Sequence, residues 1–189
     1  MKSITLPELQ KLLKVASADS KRNACMILLA FRHGMRCSEI CNLKLSDVDL
    51  KNQQITIRRL KNSLLTIQPL VDEKGNPLMS ELRMLRAWLA ERRDASEYVF
   101  TSQKGGRLDR SAFFRMFQDV AERAGLPESK RHPHCLKHGL AVTLVDANVN
   151  LANIRVALGH RSIASTAVYA MPSDESTGKL VTQAIATLL

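Results

Sequence analysis

The chain has 189 residues and a formal net charge of +10, from 28 lysines and arginines against 18 acidic residues. This length suits one domain with its own hydrophobic core, and the basic surplus indicates a polyanionic partner, nucleic acid first, with an acidic protein surface or an anionic membrane as the alternatives. No stretch approaches the roughly 20 apolar residues of a membrane span, and MKSITLPELQ lacks the apolar run of a signal peptide, so we expect a cytoplasmic protein.

The first 50 residues predict three helices. TLPE, residues 5–8, has the pattern of a capping box, which predicts a helix from about Leu6 to Val15. Apolar residues at helical spacing predict a second helix over residues 21–33, which Gly34 ends. A third, short helix begins in MRCSEICNLKL directly afterwards.

The middle of the chain predicts a small antiparallel sheet. From Gln54 apolar and polar side chains alternate as in a half-buried strand, and LLTIQPL, residues 64–70, supplies a second strand. The polar turn between them forms a hairpin with Lys61 at its tip. A helix over about 78–92 follows, and YVF, residues 98–100, predicts a short third strand.

The last third of the chain predicts helices alone. Asp109 or Ser111 caps a helix that runs to about Arg123. Further helices are predicted at about residues 135–146, 151–157, 163–170 and 176–188. The whole is mainly α with one small antiparallel β-sheet, an α+β arrangement in one domain over residues 1–189.

The cysteines and histidines favour neither disulfides nor a metal site. The four cysteines include no CxxC pair, which is typical of reduced cytoplasmic thiols. The crowded stretch HPHCLKH, residues 132–138, has no second cluster at zinc-finger spacing, and Pro133 separates two of its histidines. We therefore expect no metal and no other cofactor.

Basic side chains and histidines stand in four places where packing does not need them. They are Arg36, Lys61, His134 with Lys137, and His160. Each alone could be a solvated charge or a helix-end histidine. Together they suit attack on a phosphodiester, because charge accumulates on its nonbridging oxygens as a nucleophile adds. This set holds no paired carboxylates for magnesium, which favours a metal-free mechanism.

Tyr169, nine residues after His160, is either a core ring or the nucleophile of such a reaction. A tyrosine hydroxyl has an ordinary pKa of about 10, so it needs a base or surrounding positive charge before it attacks at neutral pH. The departing sugar oxygen needs a proton, which a lysine or a histidine can give.

The motifs resemble those of the tyrosine recombinase (phage integrase) family over most of the chain. GMRCSEICNLKLSDVD, residues 34–49, resembles the first family signature, and residues 132–170 resemble the second. TLPELQKLL and LKNSLLTIQPL resemble the first helix and the lysine-bearing hairpin of its catalytic domain. The resemblance implies the catalytic-domain fold and a reaction that breaks and rejoins double-stranded DNA through a 3′-phosphotyrosyl link. It also implies four protomers on two duplexes, with which a monomer in solution is compatible.

The resemblance implies a role for each matching residue. Arg36 grips the scissile phosphate, and Lys61 protonates the leaving 5′ oxygen. His134 supports proton transfer at the nucleophile, His160 donates to a phosphate oxygen, and Tyr169 is the nucleophile. Two further residues match supporting positions that orient the site, namely Glu39 and His138.

Lys137 departs from the family pattern, which usually has arginine at this position. Lysine keeps the charge but loses the planar fork that holds two phosphate oxygens. Losing one oriented donor costs on the order of 3 kcal/mol of transition-state stabilisation. Three explanations are open: compensation by Arg131 or Arg161, a weak or specialised recombinase, or a regulator that binds DNA without cutting it. A type IB topoisomerase is a further alternative, since it uses the same chemistry on one duplex.

The two ends of the chain carry separate expectations. The resemblance begins within the first ten residues, so we expect the catalytic domain without the N-terminal DNA-clamping domain of many family members, either as a fragment or as a short recombinase. The predicted helix at 176–188 has an apolar face, which packs on its own domain or on a neighbouring protomer.

Overall fold

The computed structural model describes residues 3–59 and 65–169, and helices make up most of them. Three short strands form one antiparallel sheet in the order β1-β2-β3. The strands are β1 (Val48–Asp49), β2 (Gln54–Ile57) and β3 (Thr66–Pro69). The helices are α1 (Leu6–Asp19), α2 (Lys21–Arg32), α3 (Cys37–Cys41), α4 (Glu81–Glu91), α5 (Arg110–Arg123), α6 (His134–Asp146), α7 (Leu151–Leu158) and α8 (Ala164–Ala167). The prediction of a mainly α structure with a small antiparallel sheet is confirmed.

The predicted capping box begins α1. The Glu8 amide donates to Thr5 Oγ1 at 3.4 Å, and the Thr5 amide donates to Glu8 Oε2 at 2.9 Å. The helix runs four residues past the predicted end at Val15, because Ser20 serves both neighbouring helices. Its amide donates to the Ala16 carbonyl at 2.9 Å, while its hydroxyl accepts from the Asn23 amide at the start of α2.

Helix α2 lies at the centre of the core. All residues from Ala24 to Phe31 are buried, and α1, α4 and α6 pack against it. A helix that is covered on every side needs apolar residues all round, which this stretch supplies. The core therefore fixes the C-terminal end of α2, from which the chain turns toward Arg36.

The strand predicted at residues 98–100 is wrong. Tyr98 forms an isolated bridge with Lys44, and the Val99 amide donates to the Leu43 carbonyl at 2.8 Å. The pairing stops there because the chain enters a 3-10 turn over Leu45–Asp47 directly after Lys44. The third strand of the sheet is instead β1, where Val48 pairs with Ile55 of β2.

Several predicted helix boundaries move by a few residues. The helix expected from residue 78 starts as a 3-10 turn over Pro77–Met79, and Ser80 then caps α4. Asp109 rather than Ser111 caps α5. The short helix expected at 163–170 is α8, four residues long. Lys61 at the hairpin tip and the helix expected at 176–188 lie outside the described residues.

Helices α6, α7 and α8 form a smaller cluster beside the main core. Leu140, Ile154 and Leu158 are buried in it, and Tyr169 packs against them. In the part of the chain that the structure describes, no helix has the length and apolar character needed to cross a membrane.

Gly139 offers a test of how α6 packs. A Cβ at this position would lie 2.4 Å from the Ile4 carbonyl oxygen and 2.9 Å from Phe31 Cε2. Helix propensity favours alanine by about 1 kcal/mol, but such a clash costs about 1–3 kcal/mol. We expect Gly139→Ala to lower the free energy of unfolding by up to about 2 kcal/mol in urea titrations. Gly75→Ala, which meets nothing within 4 Å, serves as the control. Equal stabilities of the two variants would contradict this packing.

Candidate active site

Five of the six residues predicted as catalytic line one open pocket. They are Arg36, His134, Lys137, His160 and Tyr169. His138, expected in a supporting position, lines the same pocket. Lys61 lies outside the described residues, so its place relative to the pocket stays a prediction.

A left-handed turn brings Arg36 close to the end of α7. Gly34 has φ of +54°, a conformation that side chains disfavour. A Cβ there would lie 2.8 Å from Leu158 Cδ2. The glycine therefore lets the turn between α2 and α3 pack directly on α7, whose end leads into His160.

Glu39 holds Arg36 in place from beneath the pocket. Arg36 Nη1 donates to Glu39 Oε1 at 2.7 Å, and the Arg36 amide donates to Glu39 Oε2 at 2.9 Å. The Glu39 side chain is fully buried, whereas that of Arg36 is 34% exposed. Burial raises the pKa of Glu39, but the Arg36 amide and the charges of Arg59 and Lys137 outweigh it and hold the pKa below its ordinary value. The arginine is thus oriented while part of it faces solvent.

Lys137 is buried and ties two turns together. Its Nζ donates to the Gly34 carbonyl at 2.9 Å and to the Leu158 carbonyl at 2.6 Å, and the residue is 1% exposed. Burial, with the nearby charges of Arg59 and Arg36, lowers its pKa to about 7. An uncharged amine has two N–H groups, which match these two carbonyls, while an ammonium has a third for the pocket.

Of the two arginines considered as compensation, Arg161 is the one that lines the pocket. Arg131 is engaged elsewhere, since its Nε donates to the Leu126 carbonyl at 2.9 Å and its Nη1 to Glu122 Oε1 at 2.7 Å. The exposed Arg161 can therefore add positive charge at the mouth of the pocket.

The side chain in contact with the tyrosine hydroxyl is His138. Tyr169 Oη lies 2.6 Å from His138 Nδ1, and the His134 ring packs edge-on against His138 with centroids 4.2 Å apart. Burial and the neighbouring His134, His132 and Lys137 lower the pKa of His138 to about 4. A neutral imidazole can accept a proton at pH 7. Burial raises the pKa of Tyr169, and Arg36 opposes that effect.

His160 is oriented by Thr166, a residue that the sequence analysis missed. His160 Nδ1 lies 3.0 Å from Thr166 Oγ1, and Thr166 is fully buried. Burial and the charges of Lys137, Arg36 and Arg59 lower the pKa of His160 to about 4. The ring is therefore neutral at pH 7. The contact depends on α8 folding back over the histidine, and the predicted helix at 163–170 does not by itself specify that contact.

Arg59 is a second residue that the sequence analysis missed. It ends the alternation Ile55, Ile57, Arg59, which places it on the inward face of the hairpin. Its side chain is fully buried and lies against Glu39, with Nη1 3.1 Å from Oε2.

Across residues 3–59 and 65–169, no three histidine, cysteine or acidic side chains are grouped so that they could hold a metal ion.

Comparison with known proteins identifies relatives along almost the whole chain. The phage integrase family model matches residues 2–176. Type 1 fimbriae regulatory protein FimB of Escherichia coli (strain K12) is 38% identical over 172 residues, which are 88% of this chain and 82% of FimB. Tyrosine recombinase XerA of Thermococcus onnurineus (strain NA1) is 31% identical over 171 residues, which are 89% of this chain and 57% of XerA. The chain thus spans most of FimB and somewhat over half of XerA.

Solved structures share the fold. The crystal structure of XerA recombinase matches this chain with a TM-score of 0.76 at 29% identity. The matched region covers 96% of this chain and 62% of the XerA chain. The structure of the Tn1549 transposon integrase in complex with transposon right end DNA matches with a TM-score of 0.80 at 18% identity. The matched region covers 97% of this chain and 66% of the integrase chain. The predicted catalytic-domain fold is confirmed.

The buried Lys137 predicts a pH dependence of stability. Its pKa falls from 10.5 to about 7 on folding, so the unfolded chain binds more protons between these values and stability rises with pH. The rise due to this residue is at most about 1.4 kcal/mol per pH unit. We expect the stability of the wild type relative to Lys137→Met to increase by at least about 1 kcal/mol between pH 7 and 9 in urea titrations. A constant difference would contradict the burial of an ionisable amine here.

Proposed function

The chain belongs to the phage integrase family of DNA breaking-rejoining tyrosine recombinases, and on this premise we propose that it cleaves and rejoins DNA site-specifically through Tyr169. The observation that carries the proposal is the hydrogen-bond contact of Tyr169 Oη with His138 at 2.6 Å, in the pocket that Arg36 and His160 also line. A nucleophile, a neutral acceptor for its proton and donors for a phosphate thus face one space.

The chemistry is a transesterification. Tyr169 Oη attacks the scissile phosphorus, and its proton passes to the histidine pair, of which His138 Nδ1 is the contacting atom. The bond from phosphorus to the tyrosine oxygen forms as the bond to the 5′ oxygen breaks, which leaves a 3′-phosphotyrosyl link. Arg36 and His160 donate to the nonbridging oxygens, and Lys61 protonates the 5′ oxygen. The link conserves the energy of the phosphodiester, so the 5′ hydroxyl of another strand can reverse the step.

The proposed partner is a double-stranded recombination site in the cytoplasm, at the nucleoid. The net charge of +10 supports binding to a phosphate backbone, which supplies much of the affinity in protein–DNA complexes. Recombination joins two duplexes and cleaves four strands, so we propose that four protomers assemble on DNA from monomers in solution.

Covalent trapping tests the proposal directly. Duplexes from a randomised library, each nicked so that the short 5′-hydroxyl fragment diffuses away after cleavage, are incubated with excess protein. Complexes that survive denaturing gels are recovered and the attached strand is sequenced. We expect a 3′ attachment with wild type and at least about a thousand-fold less with Tyr169→Phe, because the nucleophile is removed.

The chain supplies a matched control in its other tyrosine. Tyr98 lies between Lys44 and Arg107, and Tyr98→Phe is expected to form the adduct at the wild-type rate. An adduct that persists in Tyr169→Phe would refute the assignment of the nucleophile. DNA binding by the wild type without any adduct would instead indicate a regulator, and sequence-independent adducts with relaxation of supercoils would indicate a topoisomerase.

A further inference from the structure

Arg59 carries a buried charge at the end of the hairpin strand. Its side chain is fully buried, whereas that of the adjacent Arg58 is 64% exposed and reaches from the surface to the buried Asp47. Burying a guanidinium costs several kcal/mol unless hydrogen-bond acceptors surround it. A charge kept in the interior therefore needs acceptors placed for it.

Arg59 has such acceptors from three segments of the chain. Its Nη1 donates to the Gly34 carbonyl and to Glu39 Oε2, both at 3.1 Å. Its Nη2 donates to the His33 carbonyl at 2.8 Å and to the Ala157 carbonyl at 2.7 Å. These acceptors belong to the turn before Arg36, to α3, and to the last turn of α7. The planar fork of arginine joins all three through four hydrogen bonds, whereas a lysine ammonium has only three N–H groups.

The chain then passes directly over Arg59 on its way to His160. Gly159 has φ of +64°, and a Cβ on it would lie 2.5 Å from Arg59 Nε and 2.7 Å from Cγ and Cδ. The Gly159 backbone therefore rests on the stem of Arg59. Because His160 directly follows Gly159, this contact restricts where His160 enters the pocket.

The same guanidinium thus supports the two residues proposed to grip the phosphate. Glu39 accepts from the Arg36 guanidinium on Oε1 and from both the Arg36 amide and Arg59 on Oε2, so Arg59 helps to orient the carboxylate that holds Arg36. His160 comes directly after Gly159, which lies against the Arg59 side chain, and shortly after Ala157, whose carbonyl accepts from Arg59. Arg59 thus contacts Glu39, the turn before Arg36 and the end of α7 through hydrogen bonds.

We propose that Arg59 is a positioning residue for DNA cleavage, which fixes the separation of Arg36 and His160 so that both reach one phosphate, without itself touching DNA. This inference rests on the proposed function. Its consequence is that loss of Arg59 slows the chemical step and leaves the binding of DNA nearly unchanged.

The first test compares Arg59→Met with Arg58→Met. Adduct formation is followed at saturating nicked duplex, below the melting temperature of each variant. We expect Arg59→Met to lower the rate constant about a hundred-fold, as for loss of one oriented donor, with DNA affinity within about threefold of wild type. Arg58→Met should stay within about threefold for both quantities. Arg59→Lys should fall between, because it restores the charge without the fork. A wild-type rate in folded Arg59→Met or Arg59→Lys would overturn the inference.

A second substrate separates positioning from general stability. In a methylphosphonate duplex one nonbridging oxygen of the scissile group is a methyl, so the negative charge that Arg36 and His160 must meet is gone. We expect the deficit of Arg59→Met relative to wild type to shrink at least about tenfold on this substrate. Equal deficits on both substrates would overturn the inference and leave Arg59 a stabiliser of the fold. A wild type that forms no adduct would overturn the proposed function itself, and the inference with it.

Discussion

The Gly34 carbonyl accepts hydrogen bonds from two buried cations, Lys137 Nζ and Arg59 Nη1. Each cation then reaches a carbonyl at the end of α7, Leu158 for the lysine and Ala157 for the arginine. Two elements far apart in sequence are thereby held side by side, and the pocket opens between them. Neither cation is tolerable in the interior without these acceptors, so the turns and the charges stabilise one another.

Burial and the nearby positive charges together set the protonation of the pocket. Burial is the largest cause that lowers the pKa values of His138 and His160. The neighbouring His134, His132 and Lys137 add to it for His138. The charges of Lys137, Arg36 and Arg59 add to it for His160. Both imidazoles are therefore neutral at pH 7. One can accept a proton from the Tyr169 hydroxyl, and the other can donate a hydrogen bond without adding charge. The positive charges that favour binding of a phosphate thus also help to keep His138 neutral, so that it can act as a base.

Local patterns in the sequence predicted most of the fold and little of the interior polar network. The capping box at Thr5 and the alternation from Gln54 depend on neighbouring residues, so they could be read directly. The prediction of a strand at 98–100 was wrong because the segment that pairs with Tyr98 enters a 3-10 turn directly after Lys44. Arg59 had a signal in the alternation with Ile57, but charges at strand ends are usually solvated. The contacts of Lys137 depend on α6 meeting α7, which no local pattern encodes.

Lys137, at the position where the family usually has arginine, donates to two backbone carbonyls. Under the proposed function the binding of the phosphate therefore depends first on Arg36 and His160. A crystal structure of Tyr169→Phe bound to an uncleaved recombination site tests this most directly. We expect Arg36 and His160 within about 3 Å of the nonbridging oxygens, with Arg59 and Lys137 still hydrogen-bonded to the Gly34 carbonyl. A structure in which Arg59 or the Lys137 ammonium leaves its carbonyls to bind the phosphate, or in which His160 lies away from the phosphate, would contradict these roles.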